Sequence, residues 1–471
     1  MTPSSPASAP TPTSSLGAVR PAAVAGLFYP GDAATLQREV RNLLESTPEH
    51  LPAPGFPKAL IVPHAGYIYS GAVAAQAYDL LRPARGIVKR VVLLGPCHRV
   101  AVQGLALPGA AAFATPYGSL PVDAEAAKRL LRLPYVTEFP ATHAQEHSLE
   151  VQLPFVHEVL GEVSILPLVV GAASAEQVVD VLERVWGGPE TVILISSDLS
   201  HYQPYDQARG VDGATVEAIL RGDGALNHNQ ACGATPISGM LQAAARHNLA
   251  PRLLRYCNSG DTAGGRDRVV GYAAFAFGAE AGYEERHGRA LLSLARAAIG
   301  AKLGLNPAPV IPDEPWLRER RASFVTLTLD GALRGCIGRL AAERPLGEDV
   351  ADNARSSAFS DPRFKALTPT EFQRCVVEVS VLSTPKRLEF TDHADLIRQL
   401  EPGRDGLILE YPMENPSRRG TFLPSVWASL PDPEQFISQL KQKAGMLAGT
   451  RTERCRVLRY RAVKWSEGAG G

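Results

Sequence analysis

Four short runs constrain this chain more than any other feature. Ala59–Pro63, Val91–Leu94, Val163–Val170 and Thr191–Ile195 are rich in Val, Ile and Leu and show no alternation of polar with apolar residues. Runs of that length without alternation are what strands buried on both faces require. Helical periodicities lie among them, over Ala33–Leu44 with Asp32 as N-cap, Ala72–Leu81, Ala124–Leu131 and Ala175–Val185. Strand and helix in alternation specify βαβ units, and so an α/β fold with a mostly parallel sheet flanked by helices. Arg252–Tyr256 and Arg268–Phe277 read as a closing pair of strands.

The remainder has another rhythm. Arg289–Leu303 and Leu346–Phe359 read as helices, and Phe324–Leu329, Val376–Leu382, Leu407–Tyr411 and Arg454–Tyr460 as strands. That order suggests an α+β domain with a largely antiparallel sheet. The polar, Gly-bearing stretch Ala279–Gly288 (AEAGYEERHG) separates the two parts, and of the eleven histidines only His287 and His393 follow residue 280. A length of 471 residues agrees with two or three domains at roughly 150 residues each.

Composition removes several classes. Lys+Arg and Asp+Glu are both 48, so no global basic field drives nucleic-acid binding. Nothing approaches the ~18 consecutive apolar residues of a membrane span. Residues 1–18, Pro/Ser/Ala/Thr-rich at their start, read as a disordered tail without the charged and apolar regions of a secretory signal. Six cysteines without CxxC spacing read as reduced thiols, and a cytoplasmic protein is expected.

Three of the four buried strands run straight into a turn carrying histidine. Ile61–Tyr67 contains His64, Leu94–His98 ends on His98, and Ile195–Tyr202 contains Asp198 and His201. The strand C-termini of an open parallel sheet share one edge, and ligands bind in the crevice outside it. One histidine after one strand suggests core packing; three on one edge point to a site. Two imidazoles and one anionic ligand, with positions left open, suit a divalent metal. Asp198 could supply the anion, or a thiolate from Cys232, which precedes a helix expected near Pro236. Cys232 as a small buried hydrophobe is the alternative. Thr142–Glu150 adds His143 and His147 in the HxxEH pattern of inverted zinc peptidases. In the competing reading Glu146 and His147 make second-sphere or substrate contacts in the crevice, with Tyr67 beside them.

The segments PHAGYIYSG (63–71), GPCH (95–98), EHSLEVQLP (146–154), SSDLSHY (196–202), CGATPI (232–237) and NSGDTAGGRDRVVGYAAFAF (258–277) together resemble the Memo family, AmmeMemoRadiSam system protein B. That family is similar in fold to LigB-type class III extradiol dioxygenases. The resemblance implies a metal domain over 19–280 in which His64 and His98 are ligands and Cys232 completes the site. It also implies that His201 acts as acid/base with Asp198 as its near neighbour. The dioxygenases close their site with a carboxylate; a thiolate shifts the preference towards iron or copper, with zinc also accommodated. Cys97 offers a further soft ligand beside His98. The second part, over 288–466, resembles the AMMECR domain, AmmeMemoRadiSam system protein A, on LRGCIG (333–338), DPRF (361–364), VEVSVL (377–382), RDGL (404–407) and GTFLP (420–424).

The system implied by the two resemblances has a radical-SAM protein as partner; this chain has no CxxxCxxC motif and is not that protein. The expected activity is a metal-dependent, dioxygenase-like redox reaction or modification on a small molecule or modified biomolecule. The alternatives are a non-catalytic iron or copper protein with a docking module, and the zinc peptidase. In the second part Cys336 is read in a turn with Gly335 and Gly338, either as a nucleophile whose pKa Arg334 lowers or as a packed thiol. Arg363, Glu378 and Asp405 are the other polar candidates, and Asp330-Gly331 is a hairpin signal.

Overall fold

The four apolar runs form the centre of a nine-stranded sheet in a computed structural model that describes residues 17–48, 55–278, 285–411, 418–446 and 450–468. Ala59–Val62, Thr191–Ser196, Arg90–Pro96 and Ser164–Val170 lie side by side in that order, all parallel. Helices cover both faces and make two separate cores. One gathers Leu36, Val40, Val73 and Phe155; the other gathers Val178, Leu182, Ile237 and Met240. Asp32 caps its helix as expected, accepting the Thr35 N–H at 2.8 Å.

The sheet is more mixed than expected. Val269–Phe277 pairs antiparallel with Ala59–Val62, and Leu105–Leu107 antiparallel with Ser164–Val170, so parallel strands occupy the middle and antiparallel ones flank them. Pro251–Asn258 and Val269–Phe277 are the closing pair, joined by a short connection that permits only antiparallel return. The helix expected over 72–81 starts at Tyr67, where exposed Ile68 and half-exposed Tyr69 conceal its first turn from the apolar periodicity.

Arg20 ties the first described strand to the segment that will carry the site. Its guanidinium donates to the carbonyls of His143 (2.6 Å) and Glu146 (2.7 Å) and pairs with Glu150 (2.6 Å), all buried. Arg20→Ala leaves the Glu150 carboxylate without its countercharge, at an expected cost of about 3–5 kcal/mol. The urea midpoint measures it, and a shift worth under ~1 kcal/mol would contradict this reading.

The second part contains two four-stranded antiparallel sheets. In the first, Val325, Leu327, Val377 and Val379 bury one face under the helices Glu285–Lys302 and Leu346–Phe359. Asp330 and Gly331, both at positive φ (52° and 82°), turn Ser323–Leu329 into Ala332–Gly338 as the hairpin signal requires. One expectation is corrected here: Cys336 lies in that second strand, not in a turn. The glycines serve close approach, because a Cβ on Gly335 would sit 2.2 Å from the Ser357 carbonyl oxygen and one on Gly338 2.4 Å from that of Ser323.

The two parts touch through a buried ion pair. The Lys386 ammonium lies 2.5 Å from Asp79, 2.6 Å from the Thr47 hydroxyl and 3.1 Å from the Leu44 carbonyl. The expected tail falls almost wholly in residues 1–16, and most of the expected boundary in 279–284, both outside the described residues. Among the described residues no helix is long and apolar enough to cross a membrane.

Candidate metal centre

Strand ends bring the histidines together, and their surroundings fix which ring nitrogen faces inward. His64 follows the strand Ala59–Val62, with its backbone N–H on Asp198 Oδ1 (2.8 Å) and its ring Nδ1 2.8 Å from Ser196 Oγ. Ser196 has one hydroxyl proton, which it donates to the Ser148 carbonyl (2.6 Å), and it accepts from the Gln152 amide (2.9 Å). Towards His64 the hydroxyl can therefore only accept, so Nδ1 carries the proton and the Nε2 lone pair is left exposed to the crevice. Gln152 is itself held by the Tyr78 hydroxyl (2.8 Å) and the Pro63 carbonyl (2.9 Å). His98 follows the strand Arg90–Pro96 and gives the same result. Its Nδ1 donates to Glu146 (2.9 Å), which again leaves Nε2.

The third imidazole is His147. The ring nitrogens of His64, His98 and His147 can all lie within 4.8 Å of one another. The His98 and His147 rings stack at 4.7 Å, and His64 stands edge-on to both at 5.2 and 5.4 Å. Glu146 organises this turn, accepting the backbone N–H groups of His98 (2.6 Å), His147 (2.9 Å) and Ser148 (2.9 Å) as well as the His98 ring. Burial works against its charge, but the His98 hydrogen bond and the backbone donors prevail and hold its carboxyl at about 2. Burial, reinforced by the neighbouring imidazoles, pushes His64 well below its usual value, and burial lowers His147 as well. Both shifts favour neutral rings at His64 and His147, the form in which imidazole ligates a metal.

The donor set fits a divalent transition metal. Two Nε2 lone pairs are aimed into the cluster, and the His147 Nδ1, 3.3 Å from Glu146 Oε1, makes no hydrogen bond among the described residues.

Several expectations change. His147, read as a second-sphere or substrate contact, belongs to the cluster itself, because the Glu146 turn folds its ring onto His98. The peptidase arrangement does not form. The short helix Pro140–Ala144 ends before Glu146, and His143 Nε2 lies 2.9 Å from the Ala106 carbonyl with its ring against Phe113. Tyr67 donates its hydroxyl to the Val151 carbonyl (2.8 Å) and packs on Tyr29 and Phe155, so it is a core residue. Cys97 directs its thiol to the Val100 carbonyl at 2.6 Å.

Cys232 adjoins the cluster, with Sγ 3.4 Å from His64 Nε2 and accepting the Asp198 N–H at 3.3 Å. The helix Ala234–Arg246 starts close behind it, yet burial, with Asp198 second, pushes its thiol up to about 12 in the absence of a cation. Asp198 Oδ2 lies 3.9 Å from His64 Nε2, and burial raises its carboxyl. His201 is near enough for its charge to bear on both His64 and Asp198. The next residue, Tyr202, holds φ at 58°, a strained conformation for a side chain of that size.

The supporting shell of Ser148, Gln152 and Ser196 was not anticipated, although EHSLEVQLP carries a signal for it. Ser148, Glu150 and Gln152, all 0% exposed, are polar residues alternating with apolar ones in a stretch, 148–154, that is wholly buried. In the second part Arg363 lies over the Cys336 carbonyl (3.2 Å), whereas Arg334 is clasped by Glu371 (3.1 Å) and does not serve the thiol. Glu378 pairs with Lys464 (3.1 Å), and Asp405 is buried where it accepts the Glu401 N–H (2.7 Å).

Because Glu146 aims His98 and shapes the turn of His147, Glu146→Gln is expected to weaken metal affinity about 10- to 100-fold. Titration against a competing chelator reads this, and unchanged affinity would show that the carboxylate does not position the cluster.

Comparison with known proteins follows the same division. The family described as Memo-like protein matches residues 20–276, and the family described as AMMECR1 matches residues 292–465. A MEMO1 family protein of Aquifex aeolicus is 36% identical over 271 residues, covering 55% of this chain and 99% of that one. A MEMO1 family protein of Methanopyrus kandleri is 36% identical over 285 residues, covering 55% of this chain and 98% of its own length. Among solved structures, an uncharacterized protein from Pyrococcus horikoshii aligns at a TM-score of 0.37 and 34% identity, over 39% of this chain and 93% of its own.

Proposed function

We propose, for a chain that belongs to the Memo-like protein family and carries an AMMECR1 domain behind it, that the first domain, 19–280, is a cytoplasmic metal-dependent redox or modification enzyme. The carrying observation is the Ser196–Gln152–Tyr78 chain of hydrogen bonds, which fixes the His64 tautomer with Nε2 facing its neighbours. Such a relay beneath one imidazole has a clear use when that imidazole is a ligand. His64, His98 and His147 would hold iron or copper, with zinc also accommodated, and the Cys232 sulfur is the nearest soft donor. When bound, the ion supplies Lewis acidity and redox chemistry.

The chain's own part is to bind, orient and move a proton. His201 and Asp198 would handle the proton: the charge of His201 bears on His64 and Asp198, and the buried Asp198 lies against both His64 and Cys232. The substrate is a small molecule or a modified biomolecule, and the domain over 288–466 works alongside it with a radical-SAM protein as partner. The test is oxygen uptake by iron-loaded protein with catechol-like compounds and peptide-derived substrates, in wild type and His201→Ala. Uptake that depends on His201 supports the enzyme.

One contact favours a second reading. With Cys232 3.4 Å from His64, three imidazoles and a thiolate would close a four-ligand sphere, the pattern of a site that stores or delivers an ion. Stable metal occupancy without any turnover would select that reading.

A further inference from the structure

A cavity of about 740 Å³ lies where the two parts of the chain meet, a size that suits a small organic ligand. Backbone contact builds the junction. The Arg320 N–H donates to the Pro83 carbonyl (3.1 Å) and its side-chain Nε to the Arg85 carbonyl (3.3 Å), so a guanidinium of the second domain lies on the backbone of the first. Arg85, Lys89 and Arg320 all line the cavity, and Ile87, Ile311 and Leu317 give it apolar walls.

The cations are held there but not neutralised. Arg85 donates from Nε to the Val159 carbonyl (3.0 Å) and from Nη2 to that of Glu158, while Arg320 Nη1 donates to the Glu343 carbonyl. Every one of these acceptors is a backbone oxygen without net charge. The Glu158 carboxylate itself is taken by Arg41 at 2.6 Å. Among the described residues, no carboxylate pairs with Arg85, Lys89 or Arg320, and the exposed Lys89 side chain makes no hydrogen bond.

The acids that border the cavity are committed elsewhere. Asp313 pairs with Arg318 at 3.2 Å, and Glu190 accepts the Gly188 N–H (2.9 Å) and the Thr191 hydroxyl (3.0 Å) within its own turn. Glu348 stands in the first turn of the helix Leu346–Phe359, where the helix N-terminus offsets its charge. Two guanidiniums and an ammonium thus border one space with no anion assigned to them. Like charges brought together repel, and an anion between them relieves the repulsion.

We propose that this interdomain cavity binds a small organic phosphate, its phosphate group among Arg85, Lys89 and Arg320 and its apolar body against Ile87, Ile311 and Leu317. A phosphate dianion offers three acceptor oxygens, a geometry that guanidinium forks match. Because each domain supplies part of the wall, the ligand also holds the two domains together. The site shares no residue with the histidine cluster, so either can fail without the other.

Calorimetric titration of the full chain with phenyl phosphate, inorganic phosphate and phenol tests it. Phenyl phosphate is expected to bind stoichiometrically and at least about 10-fold more tightly than inorganic phosphate, through burial of its ring, with phenol alone unbound. Lys89→Gln in the first domain and Arg320→Gln in the second should each weaken phenyl phosphate binding by about 10- to 100-fold, the loss of one charge-assisted hydrogen bond. Lys89 supports no side-chain contact, so its replacement leaves the fold intact even if that of Arg320 does not. Excess EDTA should leave the affinity unchanged, which separates this cavity from phosphate coordinated to a metal. Absence of binding, affinity that Lys89→Gln or Arg320→Gln leaves unchanged, equal affinity for the two phosphates, or affinity lost with EDTA would overturn the site.

Discussion

His64→Ala is expected to abolish stoichiometric transition-metal binding, with affinity falling by more than about 100-fold, beyond the range that loss of a supporting residue produces. The size of the effect follows from the geometry. His64 is the buried member of the cluster, stands edge-on to both other rings, and is the nitrogen donor in contact with Cys232. Its removal leaves His98 and His147, two imidazoles on one side of the crevice. His143→Ala is the matched control. His143 faces the Ala106 carbonyl, and its loss should leave metal content unchanged although it empties part of a core. Metal analysis after dialysis separates the two. Equal binding by wild type and His64→Ala would remove the metal centre, and loss of metal in His143→Ala would return the peptidase arrangement to contention.

Lys386→Ala is expected to cost about 3–5 kcal/mol of unfolding free energy. The ammonium lies in the contact between the two parts, with Lys386 and Asp79 side chains each 5% exposed, and its removal leaves a buried carboxylate with Arg82 as its remaining partner. Burial works against the Asp79 charge, but Lys386 and then Arg82 outweigh it, and the carboxyl is held below its ordinary value. Because the folded value is the lower one, the pair stabilises fully above the ordinary carboxylate range near pH 4 and progressively less as pH falls through the depressed value. Lys386→Ala should therefore unfold at lower urea at pH 7 and lose less than wild type on acidification. Asp79→Ala added to it should recover part of the loss, since the buried carboxylate is then gone and the Arg82 left behind is partly exposed. A single-variant shift under ~0.5 kcal/mol would show that the two parts do not depend on this pair.

What the sequence could disclose follows physical lines. The central strands were legible because burial on both faces removes polar residues from Ala59–Val62 and its neighbours, and their common edge follows from parallel connection. His64 and His98 were legible for the same reason, since each follows such a strand directly. His147 was not. Its place depends on a carboxylate, Glu146, that accepts hydrogen bonds across 48 residues of chain, and no local pattern encodes such a contact. Strand Ala332–Gly338 was hidden by two glycines that imitate a turn but answer to the Ser357 and Ser323 carbonyls packed against them. Arg334 looked like a partner of Cys336 by adjacency, whereas its side chain reaches Glu371 instead.

Protein purified and crystallised without oxygen, with diffraction recorded on both sides of the iron and copper absorption edges, addresses the central claim most directly. The account predicts one anomalous peak among His64, His98 and His147, within about 2.0–2.2 Å of Nε2 of His64 and His98 and of a ring nitrogen of His147, on the side facing Cys232. Imidazoles hydrogen-bonded to solvent in metal-supplemented protein, or a peak bound elsewhere on the chain, would contradict it.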